Sequence, residues 1–175
     1  LKVAYSGVPG AFAHIAAGRI FPGSSRVPYR DFKAAYSAVV DGECDAVVLP
    51  IENSCNGEVG EVNDLMFSGT LYVNSIIDLA ISQDLLGIAG STPKDIKKVI
   101  SHPQALGQCA KYIKERGYRQ EEYENTALAA KYVAEQKDKS LGAIASAEAA
   151  EIFGLSVLEK NINATRGNLD FGEVD

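Results

Sequence analysis

Phe32, Ala35, Tyr36, Val39 and Val40 recur at i, i+3, i+4, i+7 and i+8, the spacing of one apolar helix face. Asp31 precedes this stretch as an N-cap candidate, and Asp41-Gly42 follows as a turn. Lys2–Tyr5, Val27–Tyr29 and Ala46–Leu49 are short apolar runs around it, and a helix is predicted across 12–20 behind the glycine-rich turn Ser6–Phe12. The continuous run Ala46–Leu49 is of the kind found in strands covered on both faces, and Pro50 ends it because proline has no N–H for a ladder. The order β-α-β-α-β predicts a mostly parallel sheet with helices on both faces.

Helix is predicted again from Val59 to Met66, and a long strand-like run from Leu71 to Ile81, with pairing continued through Gln83–Ala89. Lys97–Ile100 reads as a strand, followed by a helix with the stripe Leu106, Cys109, Ala110 and Ile113 and with Gly117 at its C-terminus. Arg119–Tyr123 reads as an edge strand, and Asn125-Thr126 opens a helix over 127–134. Leu141–Ala145 is a buried-looking strand, Ser146 caps a helix to Phe153, and Val157-Leu158 begins the tail.

Composition narrows the function classes. The 175 residues are 46% hydrophobic and 23% charged, ordinary for a globular protein with a substantial core. A net charge of −6 argues against a nucleic-acid or anionic-membrane surface. No apolar run reaches the roughly 20 residues needed to cross a bilayer. Cys44, Cys55 and Cys109 have no paired spacing, so reduced thiols in a cytoplasmic protein are expected. His14 and His102 lie far apart without neighbouring ligands, so no metal is expected. The chain starts at Leu1 without methionine and reads as a piece of a longer protein.

Candidate chemistry sits where strands end. Glu52, Asn53 and Ser54 follow one predicted strand, Ser101–Gln104 another, and Asn125-Thr126 a third. Ligands of open α/β sheets bind beyond the carboxyl ends of the strands, so these polar groups are candidates for holding a small polar substrate. Each has a plainer reading: a helix cap for Asn53 and Thr126, a turn contact for Gln104. The turn Ser6–Phe12 either presents N–H groups to an anion or is a simple connection, and it lacks GxGxxG and the P-loop lysine.

Pro50-Ile51-Glu52-Asn53-Ser54 with Gly57 and Asp64-Leu65, and Ser101-His102-Pro103-Gln104-Ala105-Leu106 with Gln108-Cys109, resemble the signature of the prephenate dehydratases from Val3 to about Leu158. The resemblance implies two α/β lobes with mostly parallel sheets and a cleft between them, like periplasmic binding proteins. One lobe would hold residues 1 to about 75 plus 156–175, the other about 76–155. It implies decarboxylating dehydration of prephenate to phenylpyruvate, a lyase reaction of L-phenylalanine biosynthesis that needs no cofactor. Asn53 and Gln104 match positions at or near the substrate, Thr126 matches a carboxylate-binding threonine, and Ser54 and Ser101 are weaker binding candidates. His102 matches a mainly structural histidine. A homo-oligomer is expected. Many members carry an ACT domain or a chorismate mutase domain, neither of which lies in these residues.

The family closes this lobe with Asn-x-Thr-Arg-Phe, whose threonine is its best acid candidate. Here Asn163-Ala164-Thr165-Arg166 ends in Gly167 and stands too close to Leu158. Counting without a gap instead places Asp170 of Asn168-Leu169-Asp170-Phe171 at the threonine. Thr165 as acid and Arg166 as carboxylate clamp are the assignment taken. The altered tail keeps open a prephenate decarboxylase that retains the hydroxyl, and a two-lobed binder of small dicarboxylates without turnover.

Overall fold

The computed structural model describes residues 1–53, 57–78 and 82–163, with the backbone alone for 52, 53, 57 and 58. It is an α/β fold of two compact units, residues 1–79 and 80–175.

In unit 1, β1 (Lys2–Ser6), β2 (Ser25–Tyr29) and β3 (Ala46–Val48) form a parallel sheet in the order β2-β1-β3. Successive side chains of a strand point to opposite faces. Ala4 therefore joins Ala35 and Ala38 of α2 (Phe32–Val40), while Val3 joins Ala17 of α1 (Phe12–Ile20). Asp31 caps α2, its Oδ1 accepting from the Ala34 N–H at 2.7 Å. Beyond β3, a two-stranded antiparallel pair, β4 (Glu52–Asn53) and β5 (Gly57–Glu58), leads into α3 (Gly60–Ser68).

The chain leaves α3 under the buried Tyr36, whose hydroxyl accepts from the Leu71 N–H at 3.0 Å. Gly69 is required there, because a Cβ would fall 2.5 Å from the Leu65 carbonyl oxygen and nearer still to the Tyr36 hydroxyl. The strand predicted from Leu71 is not formed: 71–78 has no regular structure, with Tyr72 90% and Ile76 69% exposed. Its apolar residues suggested a ladder, but a strand needs a partner, and among the described residues this run has none.

Unit 2 is a five-stranded sheet in the order β10-β6-β9-β7-β8, formed by β6 (Asp84–Gly87), β7 (Lys98–Ser101), β8 (Arg119–Glu122), β9 (Leu141–Ala145) and β10 (Ser156–Glu159). β7 is parallel to β8 and β9; β6 runs antiparallel to β9 and β10. One face carries α6 (Thr126–Gln136) and α7 (Ala147–Phe153) over Leu86, Ile100 and Ala143. The other carries α4 (Pro103–Gln108) and α5 (Ala110–Arg116) over Leu85, Val99 and Ile144. The helix predicted after Gln104 is thus two, broken at Cys109, with Gly117 ending the second in the left-handed conformation at φ 70°.

The tail differs from expectation. β10 pairs with β6, and Ile162 is buried in the α4–α5 core, so 156–163 belongs to unit 2 rather than to the first lobe. Its anchor is polar. Buried Asp84 accepts through Oδ1 from the Asn161 N–H at 2.9 Å and the Ser82 hydroxyl at 2.7 Å. The Gln83 N–H donates to Asn163 Oδ1 at 3.1 Å, and the Ile162 N–H to the Gln83 carbonyl at 2.8 Å. Ser82 Oγ also meets the Asn161 carboxamide. A hydroxyl has one proton, here given to Asp84, so Asn161 must present its NH2 to that oxygen.

Candidate active site

Parallel pairing sets the C-terminal ends of neighbouring strands side by side, and it does so separately in each unit. In unit 1, Tyr5 stands opposite Val48, so the turn after β1 and the Pro50–Asn53 segment after β3 leave the same sheet edge. Asn53 lies in β4, opposite Gly57. Its cap reading does not hold, since α3 starts after Val59, which provides no side-chain cap. Ser54 lies outside the described residues, as does Cys55.

In unit 2, Ser101 stands opposite Glu122, and the Tyr123 N–H extends the ladder to the Ser101 carbonyl at 2.8 Å. The segments carrying Gln104 and Thr126 therefore leave neighbouring strands at one edge. α4 starts there on His102, whose Nδ1 accepts from the Gln104 N–H at 3.1 Å, with Pro103 next. His102 is thereby a cap, as its place before proline implied. The half-buried Gln104 carboxamide makes no hydrogen bond among the described residues.

Thr126 begins α6, but the capping group is Asn125, whose Oδ1 accepts from the Leu128 N–H at 2.8 Å. The plainer reading of Thr126 as an N-cap is thus occupied by its neighbour. Its half-buried hydroxyl makes no hydrogen bond among the described residues, and it stands where the helix dipole favours a carboxylate.

Ser101 needs correcting. It is fully buried, and its hydroxyl donates to the Ile144 carbonyl at 2.6 Å, tying β7 to β9. A side chain closed off in the sheet with its proton committed is not placed to bind substrate. The neutral serine that read as a ligand group satisfies backbone instead. Thr165, Arg166 and Asp170 lie outside the described residues.

Ser146 caps α7 at the end of β9 as the sequence predicts, with the Ala149 N–H donating to its Oγ at 3.1 Å. One contact is not among the sequence expectations. His14, in the first turn of α1, accepts through Nδ1 from the Gly10 N–H at 3.0 Å and packs on Tyr5 with ring centroids 5.1 Å apart. The sequence signal for this contact is a histidine just behind a glycine-rich turn. Cys109 is buried and its thiol pushed up to about 12, first by burial and then by the charge of Asp84, so it is an unreactive core side chain. Among the described residues no group of His, Cys, Asp and Glu is arranged to hold a metal, and no helix is long and apolar enough to cross a membrane.

The family model described as prephenate dehydratase matches residues 3–169. Arogenate dehydratase 2 of Petunia hybrida is 41% identical over 169 residues, which are 97% of this chain and 43% of that protein. Among solved structures, GqqA, described as a novel type of quorum quenching acylase, is 34% identical with a TM-score of 0.85, over 93% of this chain and 59% of its own. Prephenate dehydratase of Arthrobacter aurescens, in complex with L-Phe, is 28% identical with a TM-score of 0.76, over 93% of this chain and 55% of its own. The chain spans less than half the length of the curated relatives it matches.

Proposed function

Because the chain belongs to the prephenate dehydratase family, we propose that it is the catalytic part of a dehydratase, a lyase of L-phenylalanine biosynthesis that converts prephenate to phenylpyruvate. The observation that carries this reading is the shared edge of unit 2. There a threonine hydroxyl and a glutamine carboxamide, neither hydrogen-bonded among the described residues, leave adjacent parallel strands. Uncommitted neutral hydrogen-bonding groups suit a substrate whose charges are carboxylates.

The reaction asks little of the protein. The ring carboxylate leaves as carbon dioxide, and the electrons of that carbon–carbon bond enter the ring. The ring carbon–oxygen bond breaks with its electron pair on oxygen, which takes a proton and departs as water. The protein must hold two carboxylates and assist a poor leaving group, by proton donation or strong hydrogen bonding. Thr126 would hold a carboxylate at the α6 N-terminus, and Gln104 and Asn53 would hydrogen-bond the reacting part. Thr165 as acid and Arg166 as bidentate clamp rest on the resemblance of the tail.

The test is to incubate the protein separately with prephenate, arogenate and an N-acylated amine, and to identify the products by NMR. Phenylpyruvate from prephenate supports the proposal, and phenylalanine from arogenate alone moves the substrate to the amino analogue. A non-aromatic product that keeps the hydroxyl makes it a decarboxylase; tight binding without product makes it a binder. Amide cleavage alone would align it with the acylase that shares its fold.

A further inference from the structure

The turn after β1 is built on left-handed glycines, Gly7 at φ 122° and Gly10 at φ 91°. Its ends are tied by backbone bonds: Gly7 N–H to the Tyr29 carbonyl and Ala11 N–H to the Val8 carbonyl, both 3.0 Å. The Gly10 N–H is held by a side chain, Nδ1 of His14, at 3.0 Å. An Nδ1 that accepts carries no proton, so the ring is the neutral Nε2–H tautomer.

His14 is itself fixed from two sides. Its ring lies on Tyr5 of β1, and its carbonyl accepts from Nη1 of Arg26 of β2 at 2.9 Å. The Arg26 guanidinium lies over Gly18, where a Cβ would stand 2.7 Å from Nη1, so α1 is bare at that point to admit it. Among the described residues, Tyr5 and Arg26 are the titratable and charged groups that face the imidazole. Burial first, and the Arg26 charge second, hold His14 below its ordinary value of 6.5.

We propose that His14 is a positioning residue for the active site: its unprotonated Nδ1 holds the Gly10 amide and keeps the first βα turn in its ligand-receiving form. This rests on the dehydratase reading. The turn leaves the sheet at the carboxyl end of β1, the edge it shares with the Asn53 segment, where ligands of parallel sheets bind. Protonation puts an N–H where the acceptor was, facing the Gly10 N–H, and releases the turn. His14 touches no reacting atom.

The experiment compares His14→Asn, whose carboxamide oxygen can stand at the place of Nδ1 but does not titrate, with His14→Leu, which fills the space without accepting. In the unmodified protein kcat/KM for dehydration should fall on the acid side, with a midpoint below the free imidazole value of 6.5. The asparagine variant should recover most of the neutral-pH activity and lose that acidic limb. The leucine variant should lose about 10–100-fold at neutral pH, the scale of a misplaced binding element. Without substrate, the Gly10 amide resonance should follow the His14 titration in the unmodified protein and stay still in the asparagine variant. A Gly10 amide that ignores the titration, or an acidic limb that survives in His14→Asn, overturns the proposal. Absence of turnover at every pH in the unmodified protein removes the dehydratase reading and with it the catalytic role, while the resonance titration still decides the His14–Gly10 link.

Discussion

Replacing Ser101 by alanine separates a sheet residue from a substrate residue. The serine is fully buried, and its hydroxyl reaches the Ile144 carbonyl at 2.6 Å across the β7–β9 pair. Alanine keeps the β-carbon and removes one oxygen, so almost no cavity is made. The cost is the lost hydrogen bond, about 0.5–1.5 kcal/mol net, and part of the penalty for an under-satisfied buried carbonyl, together about 1–2 kcal/mol. For a unit of this size the urea dependence is about 1 kcal/mol per molar, so the midpoint of unit 2 should fall by about 1–2 M. The two units need separate probes, because one transition cannot be assumed for a chain with two cores. Tyr118 and Tyr123 report on unit 2, and the chain has no tryptophan. Steady-state kinetics below the transition should show kcat and KM little changed. An unmoved midpoint with turnover reduced tenfold or more would refute the reasoning and return Ser101 to the substrate.

Thr126→Val should keep stability and lower kcat/KM by roughly 10–1000-fold, as for a lost transition-state hydrogen bond. Asn125→Ala should cost about 1 kcal/mol of stability in urea, because it removes the cap. Gln104→Ala and Asn53→Ala should each lower turnover over the same 10–1000-fold range with far-UV circular dichroism retained; unchanged kinetics in both would leave them without a substrate role. Asp84→Ala should destabilise unit 2 by about 2–4 kcal/mol, since Asn161 N–H and Ser82 lose their acceptor, and Asp84→Asn by less, since an oxygen remains. For His14 the folded value lies below the unfolded one, so the unfolded chain takes the proton first as pH falls. That contribution is complete above about 6.5 and is lost progressively below it, a slope that urea titrations should show and His14→Asn should remove.

Most elements of the fold were legible because each carried its own local physics. α2 has one apolar face and an aspartate at its cap, and both were formed as read. The breaks came where the deciding information is not local. Leu71–Asp78 has the composition of a strand, but whether a strand exists depends on a partner elsewhere in the chain. The place of 156–163 likewise depends on a pairing with β6 and on a buried aspartate far back in sequence. Asp84 is one charge in an otherwise apolar run. A carboxylate in such a run must be paired or hydrogen-bonded, so its acceptors were a sign that something distant would come to meet it.

The site was legible by type and less so by individual residue. Ser101 ends β7, Gln104 and Thr126 follow β7 and β8 at the same edge, and nothing in their identities says which polar group is already spent. The neighbours decide. Asn125 caps α6 and so leaves the Thr126 hydroxyl uncommitted among the described residues; Ile144 offers a carbonyl and so commits Ser101. The last residue of a strand points according to the pleat, whereas a residue beyond the turn is aimed by the helix that starts there. Ser101 is the last residue of β7 and inherits the sheet's inward direction. Gln104 and Thr126 lie within α4 and α6 and inherit the open end of a helix. That difference in what aims each side chain is why polar groups just past the strand are better candidates for substrate contact than polar groups still within it.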